Sequence, residues 1–308
     1  MHSPKDMSKW MESLPAEKQN SSLQSLVIPG SHDSCSFSIR KDLEVSPGES
    51  KWLKALAHLF PKTIKSIIYN WSVTQSYNIY QQLKAGIRYL DLRVAKRPKD
   101  GTYRVVHGLY GATLSEMLAQ VKTFLKECPK EIVILDFNHF YGMTSQDHTI
   151  FSNSIKSAFG KTLRPPGSQG VNVTLKELWE NNENILAFYL DAETVKNNPC
   201  FWPNSKIYSP WANTSDLNTL LHFLENETES KLPPEDLHIA QGLLTPNAKV
   251  LLANISKSLK TTLALKATDA VTTWLDELPK NSQKKLNIII VDFVESDNFA
   301  SNVIERNY

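Results

Sequence analysis

Two histidines, an arginine and four aspartates stand at or just past the ends of short apolar runs, the places where a parallel α/β sheet keeps its reactive groups. The run in SLVIPGSHDS (residues 25–34) stops at Pro29-Gly30 and at once presents His32 beside Asp33. IRYLDLRV (87–94) carries Asp91 and Arg93 two residues apart, so on a strand both side chains point to the same side. YRVVHG (103–108) ends in His107; EIVILDF (131–137) carries Asp136, with Asn138 and His139 just beyond; LNIIIVDFV (286–294) carries Asp292, with Glu295 just beyond. Imidazoles titrate near neutral pH, so one can take a proton from an attacking hydroxyl while another gives one to a leaving oxygen. A guanidinium offers a fixed, charged fork to phosphoryl oxygens. The set fits phosphoryl transfer, with the carboxylates holding the imidazoles in the right tautomer.

Each residue alone has a plainer use. A strand-end histidine is commonly a hydrogen-bonded structural residue, Asp91 and Arg93 can be an internal ion pair, and Asp136 and Asp292 can cap the helices that follow. Agreement in position is what gives the joint reading its weight. Asp33, Asp91, Asp136 and Asn138 also make a set of hard oxygen ligands for Ca²⁺ or Mg²⁺. Arg93 argues against that, because it puts a positive charge where the cation would sit, so no metal is expected. Cys35, close to His32, reads as a small buried residue rather than a nucleophile.

These residues need a scaffold that gathers strand ends. Apolar runs at 25–30, 87–94, 103–108, 131–137, 184–190, 206–211, 237–244 and 286–294 make about eight candidate strands. Helical spacing fills most of the gaps between them, at 113–128, 174–182 and 261–278. The alternation predicts a mostly parallel sheet, and the strand count predicts a distorted TIM-like (β/α) barrel of α/β class. Only AKRPKDGT separates Val94 from Tyr103, too little for a crossover helix, so those two strands should pair as an antiparallel hairpin. The 308 residues show no repeat or linker; residues 1–22 read as an N-terminal segment and 23–308 as one barrel domain.

A net charge of +2 gives no global argument for binding nucleic acid. The first twenty residues have no apolar leader, and no apolar run approaches the ~20 residues of a spanning helix, so a soluble, cytoplasmic protein is expected. The three cysteines lack the spacing of a disulfide framework or a zinc site.

SLVIPGSHDS, GIRYLDLRV, VVHGLYG and EIVILDFNHFYG, in this order and spacing, resemble the X region of phosphatidylinositol-specific phospholipase C, and most of all the small intracellular animal proteins that consist of that region alone. FWP (201–203), PWANT (210–214) and VDFVE (291–295) extend the resemblance over nearly the whole chain. It implies a distorted barrel that cleaves phosphatidylinositol to diacylglycerol and an inositol phosphate, cyclic at first. By position it makes His32 the general base at the inositol 2-hydroxyl and His107 the general acid at the diacylglycerol oxygen. Asp292 would support the base and Asp33 the acid. Arg93 sits where bacterial, metal-independent members carry arginine and calcium-dependent eukaryotic enzymes carry an acidic ligand, while Asp91 is acidic in both. No cofactor is implied, and calcium is disfavoured by Arg93. The PH, EF-hand, Y and C2 regions of the large signalling enzymes are missing, so regulation through them is not expected. The residues that hold the inositol ring do not align; Asp136, Tyr189, Asp191, Lys206 and Trp211 are the candidates.

A lipid substrate requires a membrane surface. Residues 51–71, KWLKALAHLFPKTIKSIIYNW, mix Trp52, Leu56 and Phe60 with four lysines, the composition of an interfacial amphipathic helix; the alternative is an ordinary barrel helix with solvated lysines. Two rival functions stand beside the phosphodiesterase: a phosphoinositide-binding protein with negligible turnover, and a phosphodiesterase for another glycerophospho headgroup.

Overall fold

The computed structural model describes residues 6–168, 170–229, 236–279, 286–296 and 298–308. Each of the eight apolar runs overlaps a strand: β1 (Ile28–Ser31), β2 (Tyr89–Lys96), β3 (Tyr103–His107), β5 (Val133–Tyr141), β6 (Ile185–Tyr189), β8 (Ile207–Tyr208), β9 (Leu237–Gln241) and β10 (Ile288–Val291). Two more were not foreseen, β4 (Leu109–Thr113) and β7 (Trp202–Pro203). The strands pair in the order β7-β6-β5-β2-β1-β10-β9-β8, every pair parallel. Only the turn Asn204–Lys206 separates the two edge strands in sequence, so the sheet curls into a distorted barrel whose edges are joined by one bent stretch of chain.

The short link after β2 gives the expected hairpin: Val94, Ala95 and Lys96 pair antiparallel with Val105, Arg104 and Tyr103. β3 does not end the excursion. Gly108, at φ 66°, turns the chain back at once into β4. A Cβ at Gly108 would lie 2.2 Å from Ser72 Oγ, so glycine is required both for the turn and for the approach of the helix Pro61–Ser72. β1 also runs straight through Pro29 and Gly30, paired with Ile289 and Ile290, rather than stopping there.

Successive residues of the parallel strands face two different apolar layers, as a pleated strand covered on both faces must. Ile28, Ile134, Leu186, Phe188, Ile239 and Ile288 fill the barrel, whereas Leu135, Ala187, Tyr189, Ala240 and Ile289 face the outer helices. The barrel's lower end is closed by the N-terminal segment. Trp10 and Met11 are fully buried in the inner layer, and Trp10 Nε1 donates to the Gly86 carbonyl at 2.9 Å. Glu131 accepts from the amides of Met11 and Glu12 and from the buried Arg88. The described part of residues 1–22 thus packs as part of the barrel.

Two of the three helical stretches fold as single helices and the third has an irregular start. Leu114–Glu127 and Leu175–Glu180 begin at Thr113 and Thr174 with reciprocal caps from Glu116 and Glu177. Lys260–Ala264 is a π-helical turn running into the α-helix Leu265–Glu277. The stretch 51–71 is not one helix but two, Lys51–Leu59 and Pro61–Ser72. Pro61 has no N–H to continue the first helix and drives Phe60 out of the helical region, to φ −127° and ψ 61°.

Candidate functional site

β1 and β10 run side by side to Ser31 and Val291, so the residues that follow, His32 and Asp292, emerge together. His32 Nδ1 lies 2.7 Å from Asp292 Oδ1, which fixes the ring with its Nδ1 proton on the carboxylate and leaves Nε2 facing the barrel mouth. There Nε2 meets Arg93 Nη2 at 3.1 Å and Asp33 Oδ2 at 3.2 Å. Asp33 takes a left-handed turn at φ 40°, held by its amide, which donates to Asp91 Oδ2 at 3.0 Å. The same turn carries Asp33 across to the second histidine: His107 Nε2 is 3.0 Å from Asp33 Oδ2. On its other side, His107 Nδ1 donates to the Ser72 carbonyl at 2.6 Å. The two imidazole centroids are 6.1 Å apart.

Arg93 and Asp91 do face the same way, as their spacing required, with Nη2 and Oδ2 3.5 Å apart. Arg93 Nε also lies 2.7 Å from Asp33 Oδ1. Neither Arg93 Nε nor Asp33 Oδ2 is aligned as a hydrogen bond with its neighbour, so both retain hydrogen-bonding capacity. His32, Asp33 and Asp91 bring ligand atoms within 4.8 Å of one another, but the guanidinium already contacts both carboxylates. A fixed positive charge within the ligand set does not suit a calcium ion.

Burial opposes charge on His32, yet Asp33, then the charge and hydrogen bond of Asp292, raise its pKa to about 9 against Arg93. Burial would also raise Asp91, but Arg93, His32, the Asp33 amide and Asn138 bring it down to about 2. Burial pushes the Cys35 thiol far up, with Asp33 and Asp91 adding to it, which removes it as a nucleophile.

His32, Arg93, His107 and Asp292 open onto a cavity of about 450 Å³, whose other walls include Trp71, Trp211, Leu243, Leu244 and Leu259. A larger groove of about 830 Å³ lies between helix Leu114–Glu127 and helix Ser145–Phe159. Its lining has neither a histidine nor a carboxylate, so size does not locate the chemistry.

The ring-holding candidates separate. Trp211 lines the cavity, half exposed, its Nε1 donating to Thr245 Oγ1 at 3.0 Å. Asp136 does not reach the cavity; it is buried beneath it, accepting from Tyr89 at 2.5 Å, Asn138 at 3.0 Å and Asn204 at 2.9 Å. Burial raises its pKa to about 7 against those hydrogen bonds. Tyr189 is fully buried on the outer face of β6 among Phe137, Phe140 and Phe201, with its hydroxyl 2.9 Å from His148 Nδ1, so it cannot meet a ligand in the barrel. Lys206 is ion-paired to Asp236 at 3.1 Å, just ahead of β9, outside the cavity lining. Asp191 caps helix Ala192–Asn197 through Thr194. Nor are Asp136 and Asp292 helix caps: Asp136 is within β5, and the helix after β10 starts from Asn298.

His139, noted just beyond Asp136, also lines the cavity; sequence reasoning missed Ser209, Gln241 and Thr245, which line it too, and the Ser72 carbonyl. A backbone acceptor leaves no signature in residue type. Of the apolar residues proposed to meet a membrane, Trp52 and Phe60 are 66% and 59% exposed, and Leu59 joins them at 67%. Leu56 is only partly exposed. None of the described helices is long and apolar enough to cross a membrane.

The fold is shared with solved structures. The chain matches the phosphatidylinositol-specific phospholipase C of Staphylococcus aureus, in a structure concerned with that enzyme's membrane binding, at TM-score 0.67 and 18% identity over 99% of this chain and 98% of the other. It matches the corresponding Listeria monocytogenes protein at TM-score 0.66 and 19% identity over 98% and 99%. The fold class is therefore the α/β barrel of those solved structures. Residues 67–188 match the family model "Phosphatidylinositol-specific phospholipase C, X domain", a span that holds Asp91, Arg93 and His107. PI-PLC X domain-containing protein 2 of Mus musculus is 38% identical over 300 residues, 97% of this chain and 87% of its own. PI-PLC X domain-containing protein 3 of Homo sapiens is 34% identical over 304 residues, 98% and 94%. The chain belongs to the PI-PLC X domain-containing protein family.

Proposed function

We propose that the chain is a phosphodiesterase that cleaves phosphatidylinositol, or a close phosphoinositide, by two-histidine acid/base catalysis, with Arg93 in the place of a calcium ion. The observation that carries this reading is the bracketing of one carboxylate oxygen, Asp33 Oδ2, by His32 Nε2 at 3.2 Å and His107 Nε2 at 3.0 Å, with Arg93 alongside. Neutral His32 takes the proton of the inositol 2-hydroxyl on Nε2 while that oxygen attacks phosphorus. The phosphorus–glycerol oxygen bond breaks, and the departing oxygen takes the proton on His107 Nε2, giving diacylglycerol and the cyclic phosphate. Arg93 offers N–H groups to the phosphoryl oxygens as charge builds on them. Attack from within the headgroup needs no bound water and converts the step into a reaction of high effective concentration. Opening of the cyclic product reverses the roles: His107 takes a proton from water and His32 returns one to the 2-oxygen.

The exposed apolar knuckle of Leu59 and Phe60 at the break between the two helices, with Trp52 exposed at the start of the first, fits peripheral contact with a lipid surface, with Lys51, Lys54 and Lys62 nearby in sequence. The test is incubation of the purified chain with phosphatidylinositol in mixed micelles, with and without excess chelator, followed by phosphorus NMR. A cyclic inositol phosphate formed despite the chelator is expected. Product that appears only with calcium refutes the role of Arg93. Retained vesicle binding without any product would make this a binding protein, and hydrolysis of glycerophosphoinositol alone would change the substrate class.

A further inference from the structure

The meeting of His32 and Asp292 rests on one last backbone bond of their own strands, the His32 amide donating to the Val291 carbonyl at 3.2 Å. β1 and β10 stop pairing one residue before them, and the next residues, Asp33 and Phe293, turn left-handed at φ 40° and 52°. A bulky aromatic holds that conformation only where its surroundings enforce it. The enforcement comes from Thr74 and Gln75, both fully buried, in the chain that follows helix Pro61–Ser72.

The Gln75 carboxamide donates through Nε2 to the carbonyls of His32 and Val291, each at 3.0 Å, and accepts the Val294 amide on Oε1 at 3.2 Å. Two carbonyls and one N–H fix the orientation of the amide and use both its donors. Thr74 Oγ1 adds a donor to the His32 carbonyl at 3.1 Å, and the Thr74 carbonyl accepts from the Phe293 amide at 2.6 Å. Ser36 Oγ accepts from the amides of Thr74 and Gln75 at 3.0 and 3.1 Å. Gln75 thus adds a side-chain rung just beyond the last backbone bond between the strands, sharing the Val291 carbonyl with the His32 amide.

We propose that Gln75 is a positioning residue for the catalytic base, locking the ends of β1 and β10 so that His32 Nδ1 stays on Asp292. The inference rests on the reading of His32 as the base, but its test does not depend on turnover. The barrel supplies its own control at the opposite ends of the same strands. Asn287, also buried, donates to the carbonyls of Leu23 and Leu26 at 3.0 and 2.9 Å and accepts the His238 amide at 3.2 Å. It is a comparable clamp with no reacting group near it.

The experiment compares Gln75→Met and Asn287→Leu in the full chain, by melting temperature, by NMR titration of the His32 ring, and by kcat and KM at a pH above the His32 pKa. Both variants should melt earlier. Only Gln75→Met should move the His32 pKa from about 9 down by roughly a unit, and lower kcat about 10- to 100-fold with KM nearly unchanged, as displacement of a reacting group does. If Gln75→Met does not fold, Gln75→Asn, which keeps the amide but withdraws it by one methylene, is read the same way. An unmoved His32 titration in the Gln75 variant, or an equal shift in Asn287→Leu, overturns the proposal. A shift without any measurable turnover in the parent chain would leave the clamp standing and refute the phosphodiesterase.

Discussion

Replacing Asp292 by Asn removes a charge 2.7 Å from His32 Nδ1 while keeping size and an oxygen that can still accept the Nδ1 proton. The raised His32 pKa, from 6.5 to about 9, corresponds to about 3 kcal/mol in favour of the imidazolium. Asp33 and Asp292 share it, so the Asn variant should lose one to two of the roughly 2.5 units. Two effects then oppose each other. At pH 7 the parent His32 is neutral in only about 1% of molecules, and the variant raises that share about tenfold or more. Against this, the variant cannot stabilise the imidazolium that forms as the 2-hydroxyl is deprotonated, a loss of about 10²–10⁴ in rate for a supported acid/base group. The deficit in kcat/KM should therefore be at least about tenfold smaller at pH 7 than at pH 10, where His32 is mostly neutral in both proteins. Taking the ratio of variant to parent at each pH cancels the titration of other groups that the two proteins share. A pH-rate series on micellar phosphatidylinositol, with NMR titration of His32 alongside, makes the measurement. An equal deficit at both pH values, or an unshifted His32, would refute the assignment of His32 as the base held by Asp292.

Arg93→Lys should lower kcat/KM by about 10²–10³ with or without added calcium, because one ammonium cannot meet His32, Asp33 and Asp91 together; rescue by calcium in the same assay would contradict the reading. His238 is 2% exposed, its ring stacked on Tyr208, and among the described residues neither ring nitrogen has a partner. Burial lowers its pKa to about 4, so the unfolded chain takes up a proton below pH 6.5 that the folded chain refuses, and stability should fall by up to about 3 kcal/mol between pH 6.5 and 4. Denaturant unfolding of His238→Phe should show that slope reduced and stability raised by about 1–3 kcal/mol; an unchanged slope would count against it. His32 acts in the opposite sense: its pKa is raised, so its contribution is complete below pH 6.5 and lost as pH rises through about 9. Trp52→Ala should weaken vesicle binding about tenfold and leave hydrolysis of a water-soluble substrate intact; unchanged vesicle binding and unchanged micellar activity would end the membrane role of residues 51–71.

The histidines, Arg93 and Asp292 were legible because each interrupts or ends an apolar run, and the two-residue spacing of Asp91 and Arg93 is itself a statement about facing. Which of the ring-holding candidates face the barrel was not, because parallel strands covered on both sides are apolar in both phases. Nothing in ILAFYL tells that Phe188 points into the barrel and Tyr189 out of it. β4 was hidden because Gly108 reads as a stop, although a left-handed glycine serves equally well to reverse a strand. The break at Phe60-Pro61 was written in the sequence, but the amphipathic pattern on both sides masked it. Thr74, Gln75 and the Ser72 carbonyl act through hydrogen bonds to backbone, and such partners have no spacing to read.

Asp33 is the residue whose place gains most meaning from the structure. Its Oδ2 lies between two imidazoles, 3.2 Å from one and 3.0 Å from the other, so its negative charge attracts a proton on either ring. Protons on both rings repel across a short distance, and a proton on neither leaves a buried carboxylate facing two lone pairs. A single proton held between the rings avoids both costs. On the proposed mechanism, the first step begins with that proton on His107 and ends with one on His32, delivered by the 2-hydroxyl. Opening of the cyclic phosphate by water begins from that second arrangement and restores the first. The carboxylate thus makes the product state of one step the starting state of the next, with the Arg93 guanidinium 2.7 Å from its Oδ1 through both.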